Sequence, residues 1–428
     1  MTRPPVLRAS AGPAPGALLP RYQAVRSRSL ALAAPLSAED AMLQSMPEAS
    51  PAKWHLAHTT WFFERFLLAR RRGYRPVDAR WDVLFNSYYQ GAGPMHARPQ
   101  RSLLSRPSLD EVCGYRDEID ARVARRCEAG DLDGHDSEVL LLGTHHEQQH
   151  QELLLTDLQH ALWCNPLRPA YRDDLPQVAD SASPLAWRHY DETIVEIGAP
   201  RWPGADGFAY DNESPRHRVL VAAHALARRP VSNAEFRAFI DDGGYADPLL
   251  WLSDGWEWRQ REGLARPLYW DEDCAQAFTL AGMRPLAAHA PVCHLGYFEA
   301  DAFARWAGAR LPTEFEWEQA AADAVVDGNL LDADVLQPQA APAATEAPRQ
   351  LFGDVWEWTS SAYAAYPGFQ PLSGTLGEYN GKFMNGAYVL RGGSCATPRD
   401  HLRASYRNFF APTARWQFSG LRLARDAA

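Results

Sequence analysis

Two imidazoles one helical turn apart can share a metal ion. The stretch Thr144-His145-His146-Glu147-Gln148-Gln149-His150-Gln151-Glu152 contains such a pair in His146 and His150. Val139, Leu142, His146, His150, Leu153 and Asp157 recur at three- and four-residue steps, the spacing of one face of an α-helix. Burying three histidines, two acids and three glutamines in a leucine frame is costly unless partners satisfy them. A pair of core histidines tied to backbone carbonyls is the alternative. His146 to His150 also match H-E-x-x-H, in which zinc proteases use the histidines as ligands and the glutamate to activate water. The G-x-x-H continuation is absent, and the nearby acids Glu152 and Asp157 lie on the same helix. A third ligand from another helix is His58, which shares a face with Trp54, Trp61 and Phe62. Three neutral imidazoles without a thiolate suit Fe(II), Zn(II) or Cu and leave positions open, and of iron and zinc only iron has the redox chemistry to activate O₂.

The elements that carry these residues are helical. Helices are expected over 22–34, after Ser37 as N-cap, after Ser50 as N-cap with Pro51 in the first position, over 110–127 and over 137–163. They make a small up-down bundle, a usual setting for metal sites built between facing helices. The loop Phe85-Asn86-Ser87-Tyr88-Tyr89-Gln90-Gly91 places two phenols. Residues 1–20 are Pro/Ala-rich with no continuous apolar run and read as a disordered arm, not a secretion signal. The bundle is assigned to 21–170 and a Pro-rich linker to 171–187. From 188 to 428 short strand-like runs, such as 192–197 and 218–221, alternate with Gly/Pro turns. Helices are expected at 232–241, with a Ser232/Glu235 capping box, and at 299–308. Residues 321–349, rich in Ala, Pro and Asp, read as a surface insertion. No internal repeat is found.

A chain of 428 residues has room for two or three domains. Its net charge of −10 argues against a nucleic-acid binder. Six cysteines without CxxC spacing read as reduced thiols, which with the missing secretion signal implies a cytoplasmic protein. No run approaches the length of a membrane span.

The N-terminal half resembles the DinB-like four-helix bundle. The C-terminal half resembles the formylglycine-generating-enzyme/C-type-lectin-like α+β domain, with much irregular structure. The second resemblance rests on an ordered series: Asn233-Ala234-Glu235-Phe236, Arg310-Leu311-Pro312-Thr313-Glu314-Phe315-Glu316-Trp317-Glu318, Gly353-Asp354-Val355-Trp356-Glu357-Trp358-Thr359, Leu390-Arg391-Gly392-Gly393-Ser394 and Gly420-Leu421-Arg422-Leu423-Ala424. Cys395 has no second cysteine to complete a copper-binding pair, which argues against formylglycine formation. The two folds in this order resemble the sulfoxide synthases of ergothioneine biosynthesis (EgtB type). That resemblance implies an Fe(II) cofactor held by His58, in Trp54-His55-Leu56-Ala57-His58, and by His146 and His150. It implies a histidine-betaine contact from Gln149 and a pocket wall from Asn408-Phe409.

Relatives that take γ-glutamylcysteine carry an Asp and an Arg where this chain has Phe410 and Ala414. The sequence therefore resembles the cysteine-using branch, in which Asn86-Ser87-Tyr88-Tyr89 supplies the catalytic phenol, Tyr89 first and Tyr88 second. The implied reaction is O₂-dependent coupling of cysteine sulfur to the imidazole C2 of hercynine (Nα,Nα,Nα-trimethylhistidine). Arg101, Arg106 and Arg415 are candidates for the donor carboxylate. The implied partners are small molecules, with neither nucleic acid nor membrane. The alternatives are a selenoneine synthase acting on a selenosugar, a histidine-using synthase of ovothiol formation, a zinc hydrolase, and a non-catalytic module stabilised by a metal.

Overall fold

The computed structural model describes residues 15–178, 180–204, 207–342 and 346–427. Five helices build the N-terminal half: α1 (Pro15–Ala33), α2 (Ala52–Phe63), the short α3 (Trp81–Phe85), α4 (Leu109–Glu128) and α5 (Gly134–Cys164). Ser108 and Glu111 cap α4 reciprocally, and Asp133 and Asp136 do the same for α5, so both starts are written locally. The helix α1 begins at Pro15, inside the stretch expected to be a disordered arm; residues 1–14 lie outside the described ones. Ser37 and Asp40 do cap each other, but only the single turn Asp40–Met42 follows, with Pro47 close behind. Ser50 is not the cap of α2. Pro51 takes that place, while Ser50 donates its N–H to Asp157 (2.8 Å) and accepts from Arg101 (2.8 Å).

The helix α5 is buried on three sides, each with its own polar partners. His146, His150 and Asp157 face α2. Glu147 and Gln151 face α1 and α4, where Glu147 accepts from Arg26 (2.9 Å), Arg116 (2.8 Å) and Ser29 (2.6 Å). His145, Gln148, Glu152, Thr156 and Gln159 form a stripe at three- and four-residue steps that faces the second half.

That half holds eleven strands among the described residues. They are β1 (Trp187–Tyr190), β2 (Thr193–Ile197), β3 (His217–Val221), β4 (His224–Ala227), β5 (Gln276–Thr279), β6 (Gly282–Pro285), β7 (Trp356–Ala362), β8 (Tyr388–Arg391), β9 (Asn408–Phe410), β10 (Ser419–Leu421) and β11 (Ala424–Asp426). They form a sheet ordered β1-β4-β11, a sheet ordered β10-β7-β8-β9, and the hairpins β2-β3 and β5-β6. Four helices accompany them: α6 (Asn233–Asp241), α7 (Ser253–Glu262), α8 (Tyr297–Trp306) and α9 (Glu314–Ala321). The Ser232/Glu235 capping box is formed at α6.

The segment expected as a linker is packed down: Tyr171 is buried, its hydroxyl donates to Leu32 and its N–H to Leu280. Residues 321–349 are not merely a surface insertion. Leu330, Leu331 and Leu336 are buried, and Asn329 donates to Asp354. Apolar residues spaced irregularly among Ala, Pro and Asp leave no periodic signal, so their burial depends on distant partners.

A single glycine allows α5 to approach α2. A Cβ on Gly143 would lie 2.3 Å from one ring carbon of Phe63 and 2.9 Å from one of Phe62. Helix propensity favours alanine there by about 1 kcal/mol, but overpacking costs about 1–3 kcal/mol. Gly143→Ala is therefore expected to lower the melting temperature and to weaken metal binding at the adjacent turn. Calorimetry would reveal it, and a rise in Tm would contradict the close approach.

Candidate metal centre

The three expected ligands converge from two helices. One ring nitrogen from each of His58, His146 and His150 lies within 4.8 Å of the others. His58 and His146 approach through their Nε2 atoms at 3.3 Å. All three rings are buried or nearly so, and burial is the first cause that lowers each affinity for a proton. His58 and His150 are held well below the usual histidine range, with the charge of His146 adding to the effect. His146 is pushed down to about 3. All three are neutral at ordinary pH, the state a ligand needs.

The outer contacts also choose the tautomers. His58 Nδ1–H donates to the Phe85 carbonyl (2.6 Å), leaving its Nε2 lone pair free. His55 contacts Asp157 through Nε2 (3.2 Å) and His150 through the two Nδ1 atoms (2.8 Å), a contact in which His150 Nδ1–H can donate. The His150 Nε2 lone pair is then free as well. Trp54 stacks on His58 at 4.6 Å, and Phe62 lies 4.8 Å from His146. Three neutral nitrogen donors without a thiolate, two of them oriented by outer hydrogen bonds and His146 with a buried Nδ1 that has no partner among the described residues, fit a divalent first-row ion such as Fe(II), Zn(II) or Cu(II).

Glu147 faces away from the triad. Burial works to raise its pKa, but Arg26, Arg116 and the Ser29 hydrogen bond pull it down to about 2. A carboxylate fully committed to two guanidiniums and a hydroxyl cannot take a proton from a water at the triad, so the zinc-hydrolase reading fails on geometry. Glu152, two residues beyond His150, is a strut between the halves and accepts from Trp356 Nε1 (2.8 Å), Thr397 (2.8 Å) and Ser394.

The remaining expected residues divide. Gln149 sits between two phenols of the second half: its Oε1 accepts from Tyr379 and its Nε2 donates to Tyr406 at 2.7 Å. Asn86 folds its loop by bonding the Tyr89 carbonyl (2.9 Å) and N–H (3.1 Å). Tyr89 is buried against Trp61 (6.0 Å) and Phe66 (5.1 Å), and Tyr88 packs on Tyr379 and Phe383. Among the described residues neither of these two rings contacts a triad ring, whereas Tyr379 meets His146 edge-on at 5.5 Å. Phe409 joins indirectly, stacked on Tyr363 (3.9 Å) and 6.0 Å from Phe383. Asn408 turns back on its own strand, its Oδ1 accepting from the Phe409 N–H.

Phe410 and Arg415 do not join the site. Phe410 packs on Trp416, and Arg415 is paired with Glu299 (2.8 Å) inside the second half. Arg101 is buried over Trp54, bonded to Ser50 and Ser87, and burial pushes it down to about 9. Arg106 is exposed and donates to the Ser105 carbonyl. A separate cavity of about 270 Å³ lined by Tyr269, Trp270, Phe278 and His294 holds none of these residues.

The sequence reading missed Tyr379, Tyr406 and the His55–Asp157 relay. His55 stood in the ligand-bearing segment and offered a signal. Tyr379 lies in the turn-rich Gly377-Glu378-Tyr379-Asn380-Gly381-Lys382-Phe383, where no periodicity points a side chain anywhere.

A profile of the DinB superfamily matches residues 21–154, and a profile of the sulfatase-modifying factor enzyme 1-like domain matches 181–347 and 348–427. The hercynine oxygenase of Mycolicibacterium thermoresistibile is 35% identical over 94% of this chain and 93% of its own length. That of Mycobacterium tuberculosis is 34% identical over 94% and 96%. Ergothioneine biosynthesis protein 1 of Schizosaccharomyces pombe is 26% identical over 75% of this chain and 44% of its own. No helix of the described residues is long and apolar enough to cross a membrane.

Metal loading is expected to raise Tm in the native chain, by about 2.7 kcal/mol of added stability at a hundredfold excess over Kd. His146→Ala should lose both the shift and the bound ion. His55→Phe should weaken affinity about 10–100-fold with the triad intact. Thermal melts with Fe(II), Zn(II) and Co(II), paired with metal analysis, test this; a native chain unmoved by all three ions would overturn the site.

Proposed function

The chain belongs to the hercynine oxygenase family, and on that premise we propose that it couples the sulfur of cysteine to the imidazole C2 of hercynine at the expense of O₂. The overall balance is one thiol S–H and one imidazole C–H consumed with one O₂, giving one sulfoxide and one water. The convergence of His58, His146 and His150 beside a phenol of the second half carries this reading. His58, His146 and His150 would hold an Fe(II) ion, which would supply redox chemistry toward O₂ that Zn(II) lacks.

The protein's own groups do the rest. The three imidazoles stay neutral and aimed, His58 through Phe85 and His150 through His55 and Asp157. Gln149 presents an amide from the last turn before His150, where an imidazole or trimethylammonium group of hercynine would meet it. The hydroxyls of Tyr379 and Tyr406 hold this amide from either end. Burial, with Tyr210 nearby, holds the Tyr379 hydroxyl well above the usual phenol range. Tyr379 therefore keeps its proton at working pH and is the phenol we assign as donor, ahead of Tyr89 and Tyr88, because it alone of the three meets a ligand ring. Position 410 carries no acid and position 414 no base, and this sequence difference, with Phe410 packed on Trp416 away from the triad, supports free cysteine over γ-glutamylcysteine.

Anaerobic Fe(II) loading followed by O₂, hercynine and either cysteine, γ-glutamylcysteine or a selenosugar tests the proposal by mass spectrometry. The cysteine-derived sulfoxide is expected to dominate. No carbon–sulfur product with either thiol would sink the reading, and a selenium–carbon product alone would replace it. Tyr379→Phe is expected to shift product toward cysteine sulfinate, with Tyr89→Phe close to native. The reverse ranking would return the role to Tyr89.

A further inference from the structure

Two loops from opposite halves of the chain meet at the solvent edge of the site. One is the 86–93 loop that carries Tyr88 and Tyr89. The other is the 374–383 segment that carries Tyr379. Glu378 takes both of its oxygens to the first loop, accepting the N–H of Gln90 at 2.9 Å and that of Gly91 at 2.8 Å. Lys382 donates to the same carboxylate at 3.0 Å and to the Tyr88 carbonyl, with its ammonium 4.9 Å from the Tyr88 ring centre. The approach depends on Gly91, where a Cβ would fall 2.7 Å from Thr375 Oγ1. Behind the segment, buried Asn380 is anchored to Asp211 at 2.7 Å.

The arrangement is graded from rim to interior. The side chains of Glu378 and Lys382 are 24% and 33% exposed, whereas Tyr379, next to Glu378, is buried and bonded to Gln149. Charge-assisted bonds order two loops, yet at this exposure they are weak enough to open. Tyr88 and Phe383 meet edge to face across the same seam, ring centres 5.3 Å apart. None of these contacts touches the triad directly.

We propose that Glu378 and Lys382 are positioning residues: they clasp the 86–93 loop to the 374–383 segment, hold Tyr379 and Tyr88 in register beside the triad, and open to admit substrate. Its bearing on product outcome rests on the function proposed above; the clasp itself does not. Hydrogen exchange on the full, metal-loaded chain is the first arm. Glu378→Ala is expected to speed exchange of the Gln90 and Gly91 amides by about tenfold or more, Lys382→Met by less, and Lys382→Arg to stay near native, with bound metal unchanged in all three. Product analysis is the second arm. Glu378→Ala should raise KM for the thiol and increase the sulfinate share toward that of Tyr379→Phe, while Lys382→Arg restores the native ratio. Unchanged exchange in Glu378→Ala overturns the clasp. Faster exchange with native KM and native product ratio overturns the positioning role. Should Glu378→Ala fail to fold, Lys382→Met, altered only at the rim, decides both arms. Because exchange needs no substrate, a native chain that makes no sulfoxide would refute the function while leaving the clasp to be judged separately.

Discussion

Burial of α5 on three sides is the constraint from which the site follows. Polar groups on its buried faces are cut off from water, and most find a partner within the protein, although His146 Nδ1 has none among the described residues. Glu147 finds Arg26 and Arg116, Glu152 finds Trp356, Ser394 and Thr397, and His150 finds His55. Removing one partner strands a buried charge or donor, which is dearer than the bond itself was worth. The two imidazoles that face α2 are left with oriented, uncommitted lone pairs, and His58 brings a third. A cation is the chemical answer to three such lone pairs in one place.

The second half is built around ion pairs, buried except at the partly exposed Arg310, and these explain the residues on which its resemblance rested. Arg422 pairs with Glu357 at 2.7 Å, and Trp317 donates to the same carboxylate. Arg310 pairs with Glu316 at 2.6 Å, Arg391 with Glu318 at 2.5 Å, and Arg407 with Glu314 at 2.8 Å. A domain with short strands and many irregular segments obtains definition from such directional contacts, since they tolerate little change in geometry. The framework meets α5 at several places, Glu152 among them. Trp356, at the start of β7, donates its indole N–H to Glu152, one turn beyond Gln149 and His150. The scaffold of one half thus fixes the helix of the other, and Tyr379 and Tyr406 arrive at Gln149 in consequence.

Electrostatics and access pull in different directions here. Burial keeps the imidazoles neutral and the phenols protonated, which suits ligands and proton donors. The same burial would shut out substrate. The seam between the 86–93 loop and the 374–383 segment is partly exposed at Glu378 and Lys382, and Gln149 and His150 themselves are not fully buried.

Much of this was legible in the sequence. Periodicity placed His146 and His150 on one buried face, because helix geometry repeats locally and needs no partner to be read. The aromatic face around His58 was legible for the same reason, as were the capping box at Ser232 and the two-part architecture carried by the ordered motifs. The sequence alone left Glu147 open between zinc chemistry and structure; its direction depends on Arg26 and Arg116, more than a hundred and about thirty positions away by the numbering of the chain. Arg415 offered a charge of the right kind, but its partner Glu299 was decided by packing. Tyr379 could not be singled out, because a phenol in a turn has no periodic context and its neighbours His146, Gln149 and Tyr88 come from the other half. Local sequence determines which faces exist and what chemistry they carry. Only the tertiary structure decides which faces meet, since contacts between residues hundreds of positions apart depend on the packing of both halves and not on either stretch alone.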